Sequence, residues 1–240
     1  MISPHFIVTV ITRLRRRLSH CLLLGLTAAC AHGACFTYTP DSGFANGGTI
    51  PDGDLNGWQH TCVVSDIPDG LTIVDIRIIL NISGGCNGDL YGTLQHDSGF
   101  AVLLNRPGKT AADPIGYCDP GFDIVIDDST GTPDIHLYHV LGAEHNASGQ
   151  VLGTWHSDGR STHPSITLDT DPRTTSLDSF RALDPNGTWT LFLADTSLGG
   201  ESTVNSWTLE IVAVPEPEAW IPAFLLLGAA FIRRRRLAGR

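Results

Sequence analysis

The clearest pattern of apolar and polar positions in this chain is "VDIRIILNI" (74–82). Val74, Ile76, Ile78, Leu80 and Ile82 share one phase, and Asp75, Arg77 and Asn81 the other. Alternation with a period of two sends successive side chains to opposite faces, so the stretch predicts a β-strand with one face in a core. The same alternation returns in "TWTLFLAD", with Trp189, Leu191 and Leu193 in phase, and in "SWTLEIV", with Trp207, Leu209 and Ile211. Shorter candidates are "HTCVV", "LYGTLQH", "AVLLN" and "FDIVI". Between them 26 glycines and 14 prolines, many in Asp-Gly or Asn-Gly pairs, punctuate the chain into short pieces. Short strands separated by turns predict one all-β domain of two packed sheets, a β-sandwich.

The two ends depart from this pattern. "RLRRRLSH" is basic, "CLLLGLTAACA" is apolar but too short to span a bilayer comfortably, and "AHGA" is built of small residues. That order predicts a secretory signal peptide over 1–33, removed by signal peptidase near Gly33 or Ala34. A short membrane anchor is the alternative, as is a lipoprotein site at Cys30, which Thr27 suits poorly. At the other end, Ala219 to Ile232 carry no charge and Arg233, Arg234, Arg235 and Arg236 follow. As a helix this run reaches about 21 Å, against a hydrocarbon core roughly 30 Å thick. Tilt or local thinning would accommodate a span about 219–232, with the arginines on the cytoplasmic side.

Charge changes the picture once the ends are set aside. Only Arg77, Arg106, Lys109, Arg160, Arg173 and Arg181 lie in 35–218, against all 25 acids, so six bases minus 25 acids leaves −19 there. Such a surface argues against nucleic acid as a partner, because phosphate binding needs clustered Lys and Arg. It suits divalent cations or a salty exterior. Export also predicts oxidised cysteines. Cys35, Cys62, Cys86 and Cys118 remain after the leader, and four cysteines allow three pairings. "HLYHVLGAEH" holds His136, His139, Glu144 and His145, but it lacks the HExxH spacing and reads as a loop with surface histidines. No Gly-x-Ser-x-Gly elbow is present.

Two resemblances add to this reading. Pro215, Glu216 and Pro217, the apolar run 219–232 and Arg233 to Arg236 together resemble the PEP-CTERM sorting signal of Gram-negative bacteria. That resemblance implies a precursor held in the inner membrane, a cut near the motif by an exosortase-type processing protease, and a mature form at the cell surface or in the extracellular matrix. The stretch 214–240 is then the sorting segment. The domain between, 35–213, is similar to the P domain, or P/Homo B, of kexin-like convertases. The similarity runs from "GGTIPDGDLNGWQHTCVVSDIPDG" through "NGDLYGTLQHDSGFAVLLNRPG" to "FRALDPNGTWTLFLADTSLGGESTVNSWTLEI".

The P-domain resemblance implies a jelly-roll-like β-sandwich. It implies calcium held by loop aspartates, at positions matching Asp89, Asp127, Asp128 and Asp195. Where family members often carry a histidine before the Gly88-Asp89-Leu90 turn, this chain has "SGGC", which implies a disulfide Cys86–Cys118 stiffening the turn, with Cys35–Cys62 as the second pair. P domains accompany subtilisin-like proteases, yet this sequence shows no stretch resembling that catalytic domain. The expectation is an exported, non-catalytic protein of structural, adhesive or binding role, with extracellular polysaccharide or surface proteins as partners. The alternative is an accessory domain for a separately encoded serine protease.

Overall fold

A computed structural model describes residues 33–40 and 43–216. The signal peptide expected over 1–33 lies almost wholly outside the described residues. So do Pro217, the expected span 219–232 and Arg233 to Arg236. Among the described residues, no helix is long and apolar enough to cross a membrane.

Among the described residues ten strands form two sheets. They are β1 (Ala34–Tyr38), β2 (Thr49–Ile50), β3 (Trp58–Val64), β4 (Leu71–Gly84), β5 (Leu90–His96), β6 (Gly99–Asn105), β7 (Gly121–Asp127), β8 (Val151–Trp155), β9 (Gly187–Asp195) and β10 (Ser202–Pro215). One sheet runs β1-β10-β4-β7-β8, with β2 also on β10, and the other runs β3-β9-β5-β6. All pairings are antiparallel except β7 with β8. The expected all-β sandwich is therefore the fold.

The alternating phases read from the sequence supply the core between the sheets. Ile76, Ile78, Leu80 and Ile82 of β4 are buried, with Trp189, Leu191 and Leu193 of β9 and Trp207, Leu209 and Ile211 of β10. Each such side chain contributes about 1.5–3 kcal/mol by leaving water. The indole N–H groups that come inside are satisfied: Trp189 Nε1 donates to the Pro185 carbonyl at 3.1 Å and Trp58 Nε1 to that of Ala45 at 2.9 Å.

Val74 breaks the phase. Opposite β10 the register jumps from Val212↔Asp75 to Ala213↔Ile73, so Val74 is the extra residue of a β-bulge. Ile73 takes the buried place instead. A bulge inverts the phase beyond it, which a strict period-two reading does not anticipate.

The cysteines divide. Cys86 and Cys118 are bonded, as expected. Cys35 and Cys62 are both free thiols, so the expected second pair is corrected. The reason is the pleat. Phe36 and Tyr38 of β1 pack on the core, which turns Cys35 to the outer face, where it is exposed. Cys62 packs on the core from β3, in the other sheet. The two thiols lie on different sheets and face different ways.

Candidate metal centre

The Gly88-Asp89-Leu90 turn is fixed before any ligand is considered. The disulfide ties Cys86 to the loop ahead of β7, and Asn87, fully buried, ties the same two segments by hydrogen bonds. Asn87 Nδ2 donates to the Gly121 carbonyl at 3.0 Å, and the Gly121 N–H donates to Asn87 Oδ1 at 3.0 Å. Gly88 is the one residue type that fits here, because a Cβ would stand 2.4 Å from the Ile115 carbonyl oxygen.

Asp89 follows at the end of a short 3₁₀ turn, Asn87–Asp89. Leu90, next in the chain, lies opposite Asp195 at the last position of β9. The Thr196 N–H donates to the Asp89 carbonyl at 2.8 Å, locking the two strand ends together. Asp195 is buried; its Oδ1 accepts from the Ser197 N–H at 3.1 Å, and its Oδ2, also buried, has no hydrogen-bond partner among the described residues. Its carboxyl is raised to about 6, first by burial and then by the nearby charges of Asp89 and Asp52, against the pull of the Ser197 and Gly53 amides. Asp52 was absent from the expected set. It comes from the turn between β2 and β3, and its carboxylate accepts from the Gly199 N–H at 3.0 and 3.1 Å. In the sequence nothing separates it from the other turn aspartates, since it meets Asp195 only through the sheet pairing.

One cation already serves this cluster. Arg106 Nη2 lies 3.3 Å from Asp89 Oδ1, while its Nε donates to the Gly88 carbonyl at 2.6 Å. Burial lowers the guanidinium's pKa, and Asp89 and Asp195 oppose that. With all three carboxylates ionised, Asp52, Asp89, Asp195 and Arg106 together carry −2.

Asp127 and Asp128 do not join them. In the β4–β7 pairing Ser83 faces Gly121 and Arg77 faces Asp127, so Asp127 closes the far end of β7, about 20 Å of strand away. It pairs with Arg77 Nε at 2.8 Å and accepts the Ser129 N–H at 2.8 Å. Asp128 accepts the Ser157 N–H, the Ser157 hydroxyl and the Leu177 N–H, each at 2.7 Å, and His156 Nδ1 stands 3.0 Å away. Burial opposes its ionised form, but these bonds win and its pKa is lowered. Its oxygens are consumed in clamping the 155–158 and 176–178 segments. Both aspartates are taken up by donors from the chain and are not brought together with Asp89 and Asp195.

The histidines do not assemble a triad among the described residues. His136 Nδ1 meets buried Asp158 Oδ2 at 2.8 Å, but its Nε2 is taken by the Lys109 carbonyl at 2.9 Å. Ser165 Oγ is 2.7 Å from His163 Nδ1, and that ring has no carboxylate partner among the described residues.

No protein-family model matches this chain, and neither does any curated protein. Similar solved structures include the crystal structure of the Aeromonas sobria serine protease (ASP) in complex with the chaperone (ORF2). Its TM-score is 0.43 at 13% identity, over 77% of this chain and 27% of that one. The crystal structure of the serine protease of Aeromonas sobria gives 0.42 at 12% identity, over 83% and 30%. The chain spans less than a third of either, and likeness at this level carries no functional argument; the architecture rests on the strand pairings themselves.

Proposed function

We propose that this protein is an exported, non-catalytic β-sandwich of the bacterial envelope or extracellular matrix, with a structural, adhesive or binding role. We further propose that its loop end is set by calcium held by Asp52, Asp89 and Asp195. The observation that carries the calcium reading is the buried, unpartnered Asp195 Oδ2 beside two further carboxylates. A buried carboxylate oxygen without a donor is costly. Calcium takes oxygen ligands from loops, and a local charge of −2 matches it. Its binding would turn mutual repulsion into coordination and fix the β5 and β9 ends. Support for export comes from the basic-apolar-small order at the N-terminus and the Pro-Glu-Pro, apolar, arginine order at the C-terminus.

The test is thermal unfolding in calcium and in EGTA. An ion binding only the folded state stabilises by about 2.7 kcal/mol at a hundredfold excess over Kd. Millimolar calcium should raise Tm, and Asp195→Asn or Asp89→Ala should abolish most of the rise. The pH dependence has a defined sign. A carboxyl with a raised folded pKa binds its proton more tightly folded than unfolded, so in EGTA stability should fall as pH rises from about 4 through about 6. Calcium should reverse that fall. NaCl at matched ionic strength producing the same gain would reduce the effect to screening and end the calcium reading. Hydrolysis of peptides or esters by the purified protein would end the non-catalytic one, and co-purification with a separate serine protease would favour an accessory role.

A further inference from the structure

Besides the aspartate cluster, the fold assembles a second set of donors. We propose that Asp119, His139 and His145 form a binding site for a transition-metal dication of the zinc type, with a coordination position left open to solvent. The three residues are 26 positions apart at their extremes in sequence, yet one ligand atom from each lies within 4.8 Å of the other two. His139 Nε2 is 2.5 Å from Asp119 Oδ2, and His145 Nε2 is 3.2 Å from Asp119 Oδ1. A tetrahedral zinc ion with bonds of about 2.0–2.1 Å places its ligand atoms about 3.3 Å apart, so small side-chain rotations admit the ion.

The chemistry of the set selects its ligand. Two imidazoles and one carboxylate suit zinc, copper or nickel, whereas calcium and magnesium prefer all-oxygen surroundings. With neutral rings the set carries −1, which a dication more than offsets. The side chains are 20%, 43% and 33% exposed for Asp119, His139 and His145, so an ion has a path in and a water can complete the shell.

The surroundings hold the ligands in place. The Asn87 and Gly121 N–H groups donate to the Asp119 carbonyl at 3.2 and 3.0 Å, and Cys118, its chain neighbour, is disulfide-bonded. The Tyr138 hydroxyl donates to Asp119 Oδ2 at 2.7 Å and receives Asn87 Nδ2 at 3.2 Å. The His139 ring stacks on Tyr117 with centres 4.0 Å apart and planes 21° from parallel. An outer layer that orients ligands in this way typically changes metal affinity about 10–100-fold when removed. This donor set shares no residue with Asp52, Asp89 and Asp195, so zinc and calcium binding can fail separately.

The experiment uses the full chain purified without a polyhistidine tag, stripped of metal and kept in millimolar calcium. Titration with cobalt should give one equivalent bound with visible d–d absorption, and zinc should displace it. His139→Ala and His145→Ala should each weaken zinc binding at least tenfold and the double variant should lose it, while unfolding of the metal-free variants stays near that of the wild type because both rings are partly exposed. Tyr138→Phe should weaken zinc by about tenfold. As a reading that needs no variant, zinc should shift the imidazole proton resonances of two of the ten histidines. Absence of stoichiometric zinc binding at tens of micromolar, or undiminished binding by the double variant, would overturn the proposal and leave the three residues as a histidine–carboxylate cluster only.

Discussion

At the scale of single residues, His136 shows how the interior handles charge. It is fully buried, with both ring nitrogens facing acceptors, Asp158 Oδ2 and the Lys109 carbonyl. Both nitrogens must then carry protons, which makes the ring an imidazolium. Burial opposes that charge, but the hydrogen bond and charge of Asp158 and the Lys109 carbonyl outweigh it, and the pKa is raised. Arg160 Nη1, 3.1 Å from Asp158 Oδ1, and its Nη2, 2.9 Å from Asp134 Oδ2, complete the network. A raised folded pKa contributes stability that is fully present below the unfolded value of about 6.5 and is lost as pH rises through the folded value. Tm should therefore decline on the alkaline side, and His136→Gln should lower Tm at neutral pH while flattening that decline. Identical pH slopes for wild type and variant would show that the ring is neutral when buried.

At the scale of elements, the disulfide and Asn87 do one job together: they fasten the turn before β5 to the loop before β7. Closing a loop of 32 residues contributes about 3–4 kcal/mol in the chain-entropy account. The Cys86→Ser/Cys118→Ser variant should lose stability of that order, read from urea unfolding, and should also soften the ends of β5 and β9 where Asp89 and Asp195 sit. Peptide mapping without reductant should recover Cys86 joined to Cys118. Alkylation of the native protein should modify exposed Cys35 before the partly buried Cys62. A recovered Cys35–Cys62 peptide would contradict the outward turn of Cys35 on β1.

At the scale of the whole molecule, the Pro-Glu-Pro stretch proposed as a sorting motif begins inside the sandwich. Pro215 is the last residue of β10, opposite Leu71, and the Glu216 N–H donates to the Gly70 carbonyl at 3.1 Å. A cut N-terminal to Pro215 would remove part of the strand that pairs with β1, β2 and β4. Processing by an exosortase-type protease should leave a mature chain that ends after Glu216, near Pro217, and lacks the arginine block. Mass spectrometry of extracellular material checks this. Replacing Pro215, Glu216 and Pro217 by alanines should hold the precursor in the membrane fraction, and an intact Arg240 outside the cell would refute the sorting role.

Alternation of apolar and polar residues, with short apolar runs, was enough to find seven of the ten described strands and to name the central residues of β4, β9 and β10, because a strand's two faces are written directly into a period of two. Val74 escaped that reading because a bulge is created by the partner strand, β10. Cys86–Cys118 came from the P-domain resemblance, but Cys35 and Cys62 were misjudged because sequence does not say which face of an edge strand meets the core. The aspartates divided for the same kind of reason. Asp89, Asp127, Asp128 and Asp195 look alike in the chain; only the sheet register brings Asp195 and Asp52 to Asp89, and only the loops around Asp128 fill its oxygens with donors. His139 and His145 read as loop histidines until the parallel pairing of β7 with β8 brings the loop before β7 beside the one before β8, since strand order is not carried by local spacing.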